Sequence, residues 1–183
     1  ATLLLLAGGA SRRMGTPKAL LPVGESTLLE WLHSRLAGGF DEVLVSANNR
    51  DLVPAGLAMI PDRRPGSGPL AGIEAGLMAA RNDALVVVAC DMPRVTPSLL
   101  AGLVSASAGH DAAVPRVGGR AEPACACYRR SALGAVSRAL DEGRRGAAEV
   151  LTELRVRWLD ELDPELFWNL NTPADYQVFR SAL

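Results

Sequence analysis

At 183 residues the chain is long enough to bury a core without disulfides, and residues 1–183 are read as one domain. Its 19 Lys plus Arg nearly balance 20 Asp plus Glu, and the formal charge of −1 offers no general field for nucleic acid or an anionic membrane, so any phosphate site has to be local. Three cysteines, with Cys125 and Cys127 too close in sequence to bridge, and apolar runs far short of a membrane span point to a cytoplasmic protein without structural disulfides.

The chain opens on Leu3-Leu4-Leu5-Leu6, an apolar run suited to a strand buried on both faces of a parallel sheet. It leads directly into Ala7-Gly8-Gly9-Ala10-Ser11-Arg12-Arg13-Met14-Gly15-Thr16-Pro17-Lys18. Paired glycines let backbone N–H groups approach phosphates, while Arg13 and Lys18 carry charge to neutralise them. The segment matches neither GxGxxG nor GxxxxGK[ST], which weakens a dehydrogenase or P-loop reading; a basic surface loop with turn glycines would share its composition. Thr27-Leu28-Leu29-Glu30 is a capping box opening a helix whose apolar stripe, Leu28, Leu29, Leu32 and Leu36, stops at Gly38-Gly39. Strands are expected at residues 42–46, ending on Ser46, and at 57–60, with Asp62 just beyond.

Pro65-Gly66-Ser67-Gly68-Pro69-Leu70-Ala71-Gly72 places Pro69 at a first helical position ahead of Ile73 and Leu77. The free N–H groups of such a helix start suit a ligand, and equally an ordinary turn and cap. Residues 85–89 form the most continuous apolar strand, after which Cys90-Asp91-Met92-Pro93 presents a carboxylate at its carboxyl end. Mg²⁺ takes one or two carboxylates and completes its shell with phosphates and water, so Asp91 suits such an ion; it also suits a turn cap.

Thr96-Pro97 starts a helix carrying Leu99, Leu100, Leu103 and Val104; strands at 112–115 and 124–127 and helices at 130–140 and 147–154 come after it. The Gly- and Arg-rich stretches at 63–68, 118–120 and 143–146 read as mobile loops. In Asn169-Leu170-Asn171-Thr172-Pro173-Ala174-Asp175, capping accounts for Thr172, Pro173 and Asp175. It leaves Asn169 and Asn171 on one face of an extended segment, fit either to bind an acceptor ligand or to form a turn. His33 and His110 lack partners for a nucleophile-base pair or zinc site, Cys125 and Cys127 read as small buried residues, and Trp31, Trp158 and Trp168 as core. Strands alternating with amphipathic helices predict a doubly wound α/β sheet, whose ligands lie beyond the carboxyl ends of its strands.

Read together, Leu6-Ala7-Gly8-Gly9 with Ser11, Arg13-Met14-Gly15 and Lys18, then Gly68-Pro69-Leu70-Ala71-Gly72, Cys90-Asp91-Met92-Pro93 and Asn169-Leu170-Asn171-Thr172-Pro173, resemble the molybdenum cofactor guanylyltransferase family over nearly the whole chain. The resemblance implies a Rossmann-like, mostly parallel sheet of the nucleotide-diphospho-sugar transferase type. It implies reaction of Mg²⁺–GTP with the terminal phosphate of molybdopterin-type molybdenum cofactor, giving the guanine dinucleotide cofactor and pyrophosphate. By that likeness Leu6, Ala7, Gly8 and Gly9 line the guanine nucleotide, Arg13 and Lys18 hold its phosphates, Asp91 ligates Mg²⁺ and Asp62 contacts the nucleotide. Gly68, Asn169 and Asn171 match positions associated with activity, on the acceptor side.

Ser46 stands where relatives often carry Asn, and can still donate or accept one bond. Relatives that use CTP usually read Leu-Ala-Ala-Gly in the first loop, so Leu6-Ala7-Gly8-Gly9 favours GTP. An acceptor phosphate is already ionised near pH 7, which makes a strong general base dispensable. Implied partners are GTP, molybdopterin and transient contacts with cofactor-biosynthesis or acceptor enzymes, with no nucleic acid and no membrane. The alternatives are a cytidylyltransferase on the same cofactor, a sugar-1-phosphate nucleotidyltransferase, for which the chain is short, and a non-catalytic nucleotide-binding module. Retention of both Lys18 and Asp91 argues against the last of these.

Overall fold

The computed structural model describes residues 1–8, 14–64 and 66–183. The first half runs β1 (Thr2–Leu6), β2 (Pro22–Val23), β3 (Ser26–Thr27), α1 (Leu28–Leu36), β4 (Glu42–Ser46), β5 (Ala58–Ile60) and α2 (Pro69–Ala79). The second runs β6 (Ala84–Ala89), α3 (Pro97–Ala106), β7 (Ala112–Val117), β8 (Arg120–Ala121), β9 (Cys125–Arg129), α4 (Leu133–Asp141), α5 (Ala147–Val150), β10 (Val156–Leu159) and α6 (Pro173–Ser181). The main sheet has the order β10-β7-β9-β6-β1-β4-β5, with β8 paired to β7. Strands β5, β4, β1 and β6 run parallel, as do β7 and β10. This is the mostly parallel, doubly wound sheet expected from alternating strand and helix patterns.

Every residue of β1 is buried, as a central strand covered on both faces requires. Leu3 and Leu5 pack on one face with α1 and α3, through Leu28, Leu32, Leu100 and Leu103; Leu4 and Leu6 pack on the other with α2 and α4, through Leu70, Ile73, Val136 and Ala139. Gly72 and Gly76, one turn apart, bring α2 close to the sheet. A Cβ at Gly72 would lie 2.7 Å from Ser46 Oγ and 2.8 Å from Leu6 Cδ2, and one at Gly76 would lie 2.5 Å from Leu4 Cδ2.

Two local expectations are corrected. The strand around 124–127 is β9, and it runs antiparallel to both β6 and β7. The reason is its connection: β7 returns through the positive-φ pair Gly118-Gly119 and β8, without the crossover helix that a parallel neighbour would need. The expected loop at 118–120 is thus the turn of a hairpin. Residues 147–154 give only the short α5 and then a 3-10 turn, Leu151–Glu153. The three tryptophans pack against the core, as expected, while staying half-buried, each under an arginine: Arg35 over Trp31, Arg94 over Trp168 and Arg116 over Trp158, at 4.4, 4.5 and 5.3 Å from the ring centres. Cys125 and Cys127 are buried and free, as expected, and no described helix is long and apolar enough to cross a membrane.

Candidate functional site

Parallel pairing sets the strand ends in one row. Leu6 stands opposite Ser46 on β4 and Ala89 on β6, and Ser46 stands opposite Ile60 on β5. The ladder continues one residue further, with the N–H of Ala7 donating to Ser46 O, that of Cys90 to Leu6 O and that of Ala47 to Ile60 O. The segments leaving these four strands are therefore gathered at one edge, where a cleft of about 760 Å³ opens. Residues far apart in the chain meet there for that reason.

Of the residues singled out from sequence, Leu6, Ala7, Gly8, Lys18, Ser46 and Asp62 line this cleft. So do Gly68, Asp91 and Asn169. Gly9 and Arg13 lie outside the described residues. Asn171 reaches the same place through another side chain: Lys18 Nζ donates to Asn171 Oδ1 at 2.8 Å and to Asp91 Oδ2 at 2.8 Å. The side chains of Lys18 and Asp91 are only 16% and 24% exposed, so the pair is poorly screened by water. Lys18 comes from a 3-10 turn, Lys18–Leu20, anchored by the fully buried Ala19.

The segment carrying the two asparagines is pinned beside Asp91. The Leu170 N–H donates to Asp91 O at 2.8 Å and the Leu170 side chain is buried, which turns its neighbours the other way. Beyond it, the Asp175 carboxylate accepts from the N–H groups of Thr172 and Asn171, completing the expected capping box of α6. The bonds from the Thr172 side chain, then from the Asn171 and Thr172 backbone, hold the Asp175 carboxyl below the ordinary carboxylate range.

At the other end of the cleft, Ser46 Oγ donates to Asp62 Oδ1 at 2.7 Å. Asn48 Nδ2 donates to Asp62 Oδ2 at 2.9 Å, and Asn48 Oδ1 accepts from the Asp62 N–H at 3.0 Å. Gly68 takes φ +69 at the start of α2, a left-handed conformation that favours glycine, and Pro69 fills the first helical position as expected. The loop leading to Gly68 is tethered by Arg64, whose guanidinium pairs with the buried Glu74 at 3.2 Å and with Asp141 at 2.7 Å.

Sequence reasoning did not single out Asn48, Cys90 or Ala124, all of which line the cleft. Asn48 had a signal available, since it lies two residues past the end of a strand whose last residue was already a candidate. Burial, foremost, pushes the Cys90 thiol up to about 12, so it is a neutral packing group rather than a nucleophile.

Among the described residues no group of three or more His, Cys, Asp or Glu could hold a metal ion by itself. A hard cation completed by substrate phosphates needs less: one partly exposed carboxylate beside a lysine is a sufficient protein contribution. Asp91, partly exposed and paired with Lys18, fits that requirement, whereas among the described residues no Lys or Arg pairs with Asp62.

A family model described as "MobA-like NTP transferase domain" matches residues 3–158. The protein named "Probable molybdenum cofactor guanylyltransferase" of Pelotomaculum thermopropionicum is 37% identical over 183 residues, covering 96% of this chain and 89% of that protein. The "Molybdenum cofactor guanylyltransferase" of Desulfosudis oleivorans is 32% identical over 190 residues, covering 98% and 94%. Among solved structures, molybdopterin-guanine dinucleotide biosynthesis protein A from Archaeoglobus fulgidus superposes with a TM-score of 0.86 at 28% identity, covering 100% of this chain and 98% of that one. A Mycobacterium tuberculosis protein solved in complex with manganese shares the fold, with a TM-score of 0.69 at 20% identity and coverage of 100% and 98%.

Proposed function

The chain belongs to the MobA-like NTP transferase domain family, and from that premise we propose that it transfers GMP from Mg²⁺–GTP to the terminal phosphate of molybdopterin-type molybdenum cofactor. A phosphate oxygen of the acceptor forms a bond to the α-phosphorus of GTP, the bond from that phosphorus to the β-phosphate bridge breaks, and pyrophosphate leaves with its electron pair. One observation carries the reading: Lys18 and Asp91 converge at one end of a cleft whose remaining lining is backbone, apolar and hydrogen-bonding groups, with the Asp62 carboxylate at the other end.

The chemistry asks for alignment and charge neutralisation rather than for covalent participation. Lys18 supplies a fixed positive charge for the triphosphate, and Asn171 and Asp91 hold its ammonium in place. Asp91 would hold Mg²⁺, which when bound supplies positive charge to the phosphates. Leu6, Ala7 and Gly8 offer backbone to the nucleotide, and Gly9 and Arg13, further along the same sequence motif, belong to this reading by sequence alone. Gly68 and Asn169 both line the cleft, and this reading gives them to the acceptor by their likeness to the family's motifs. The reading places the reaction in the cytoplasm, with transient contacts to enzymes that make or receive the cofactor.

The test is to incubate the purified protein with each of the four nucleoside triphosphates, Mg²⁺ and molybdopterin, and to follow pyrophosphate release. GTP should support turnover and CTP far less. Equal or better turnover with CTP at saturating acceptor would replace this assignment with a cytidylyltransferase, and binding of GTP without turnover would leave a nucleotide-binding module.

A further inference from the structure

Asn48 lies two residues past β4 and spans to the segment just past β5. It and Asp62 grip each other twice, through the Asp62 N–H on Asn48 Oδ1 and the Asn48 amide on Asp62 Oδ2. Ser46 Oγ occupies the other carboxylate oxygen. With one donor on each oxygen, the carboxylate cannot rotate without breaking a charge-assisted hydrogen bond, so its direction is set by its neighbours.

All three side chains line the cleft, and among the described residues no Lys or Arg pairs with Asp62. Its negative charge disfavours a triphosphate nearby and favours a part of the nucleotide that is uncharged and rich in donors. Guanine presents that surface: its N1–H and N2–H₂ groups lie side by side, and a carboxylate keeps lone pairs on both oxygens for them even after accepting one bond on each. Cytosine turns acceptors at N3 and O2 toward the same position and would leave the carboxylate facing lone pairs.

We infer that Asn48 is a positioning residue that, with Ser46, aims the Asp62 carboxylate at the N1–H and N2–H₂ edge of guanine and thereby carries base selectivity. The inference rests on the GTP-dependent reading above. Asn48 itself touches no reacting atom; it acts through Asp62.

The experiment measures calorimetric binding of GTP and of inosine triphosphate, which keeps N1–H but lacks the N2 amine, with Mg²⁺ and without acceptor. Wild type should prefer GTP by about tenfold or more, and Asn48→Ala should weaken GTP and shrink that preference to about threefold or less. Asn48→Asp keeps the shape and the acceptor for the Asp62 N–H but loses the amide donor, so it should lose selectivity too; it serves if the alanine variant melts too early to use. In an Asp62→Ala background, adding Asn48→Ala should leave the GTP-to-inosine ratio where Asp62→Ala alone put it, the coupling expected of residues that act as a unit. An unchanged ratio in a folded Asn48 variant, or an equal further loss in the Asp62→Ala background, overturns the inference. Those results would leave GTP-dependent turnover by wild type intact, whereas absence of that turnover would overturn the functional reading instead.

Discussion

Lys18 Nζ lies 2.8 Å from Asp91 Oδ2, joining a turn near the start of the chain to the end of β6. Neither side chain is more than a quarter exposed, so the two charges act on each other and on a bound polyanion with little solvent screening. Substitution separates the functions that this contact combines.

Lys18→Ala should lower kcat/KM by more than about tenfold, equivalent to roughly 1.4 kcal/mol of lost transition-state stabilisation, in a protein that remains folded at the assay temperature. Asn171→Ala removes one of two described acceptors that hold the ammonium and should cost less than Lys18→Ala. Steady-state kinetics on both variants check the order. A smaller loss in Lys18→Ala than in Asn171→Ala would contradict the assignment of the lysine as the charge on the triphosphate.

Asp91→Asn keeps the size of the side chain and can still accept from Lys18, but loses the negative charge that a hard cation requires. Turnover should collapse, or need far more Mg²⁺, in a protein that remains folded. A Mg²⁺ titration of initial rates decides. If midpoint and maximal rate both match wild type, Asp91 serves as a turn residue, a role that Asn fills as well.

Gly72 and Gly76 make different predictions although both sit where α2 approaches the sheet. Alanine at Gly76 meets buried Leu4 and Leu85, and an overpacking cost of ~1–3 kcal/mol exceeds the helix-propensity gain of about 1 kcal/mol. Gly76→Ala should therefore melt a few degrees lower with KM for GTP unchanged. Gly72→Ala presses on Ser46 Oγ, which holds Asp62, so it should raise KM for GTP as well as lower stability. Thermal melts paired with KM measurements distinguish the two.

Asp111 supplies a pH prediction away from the cleft. Arg155, then Ser131, hold its carboxyl well below the ordinary carboxylate range, and through them it ties the start of β7 to the start of β10 and to the turn before α4. A carboxyl whose pKa is depressed in the folded state stabilises the protein above its unfolded pKa, about 4, and loses that contribution as pH falls through the folded value. Asp111→Asn should therefore melt below wild type at pH 7, with the gap closing progressively under about pH 4. Melting curves at several pH values test this, and a gap that stays constant well into the acid range would show that charge is not the cause.

Much of the site was legible because its chemistry sits in short contiguous motifs. Asp91 was placed by the apolar run before it, Pro69 and Thr172 by helix-start rules, and the Leu6-Ala7-Gly8 stretch by the strand leading into it. Asn48 offered only its place two residues past a strand end, a signal that fits a turn equally well, and its reciprocal bonds to Asp62 are what give it a role. The antiparallel course of β9 was hidden for a similar reason: a short apolar run records burial on both faces, not direction.

By itself the sequence determined what local physics controls: which segments bury apolar side chains, where helices begin, and which charged residues stand at the ends of strands. The register of parallel pairing, which sets Leu6 opposite both Ser46 and Ala89, was decided only when the sheet assembled. So was the meeting of Lys18 with Asn171, 153 positions apart. Such contacts depend on which strands become neighbours and on how connections return, and those choices minimise exposed apolar area over the whole chain rather than within any one segment.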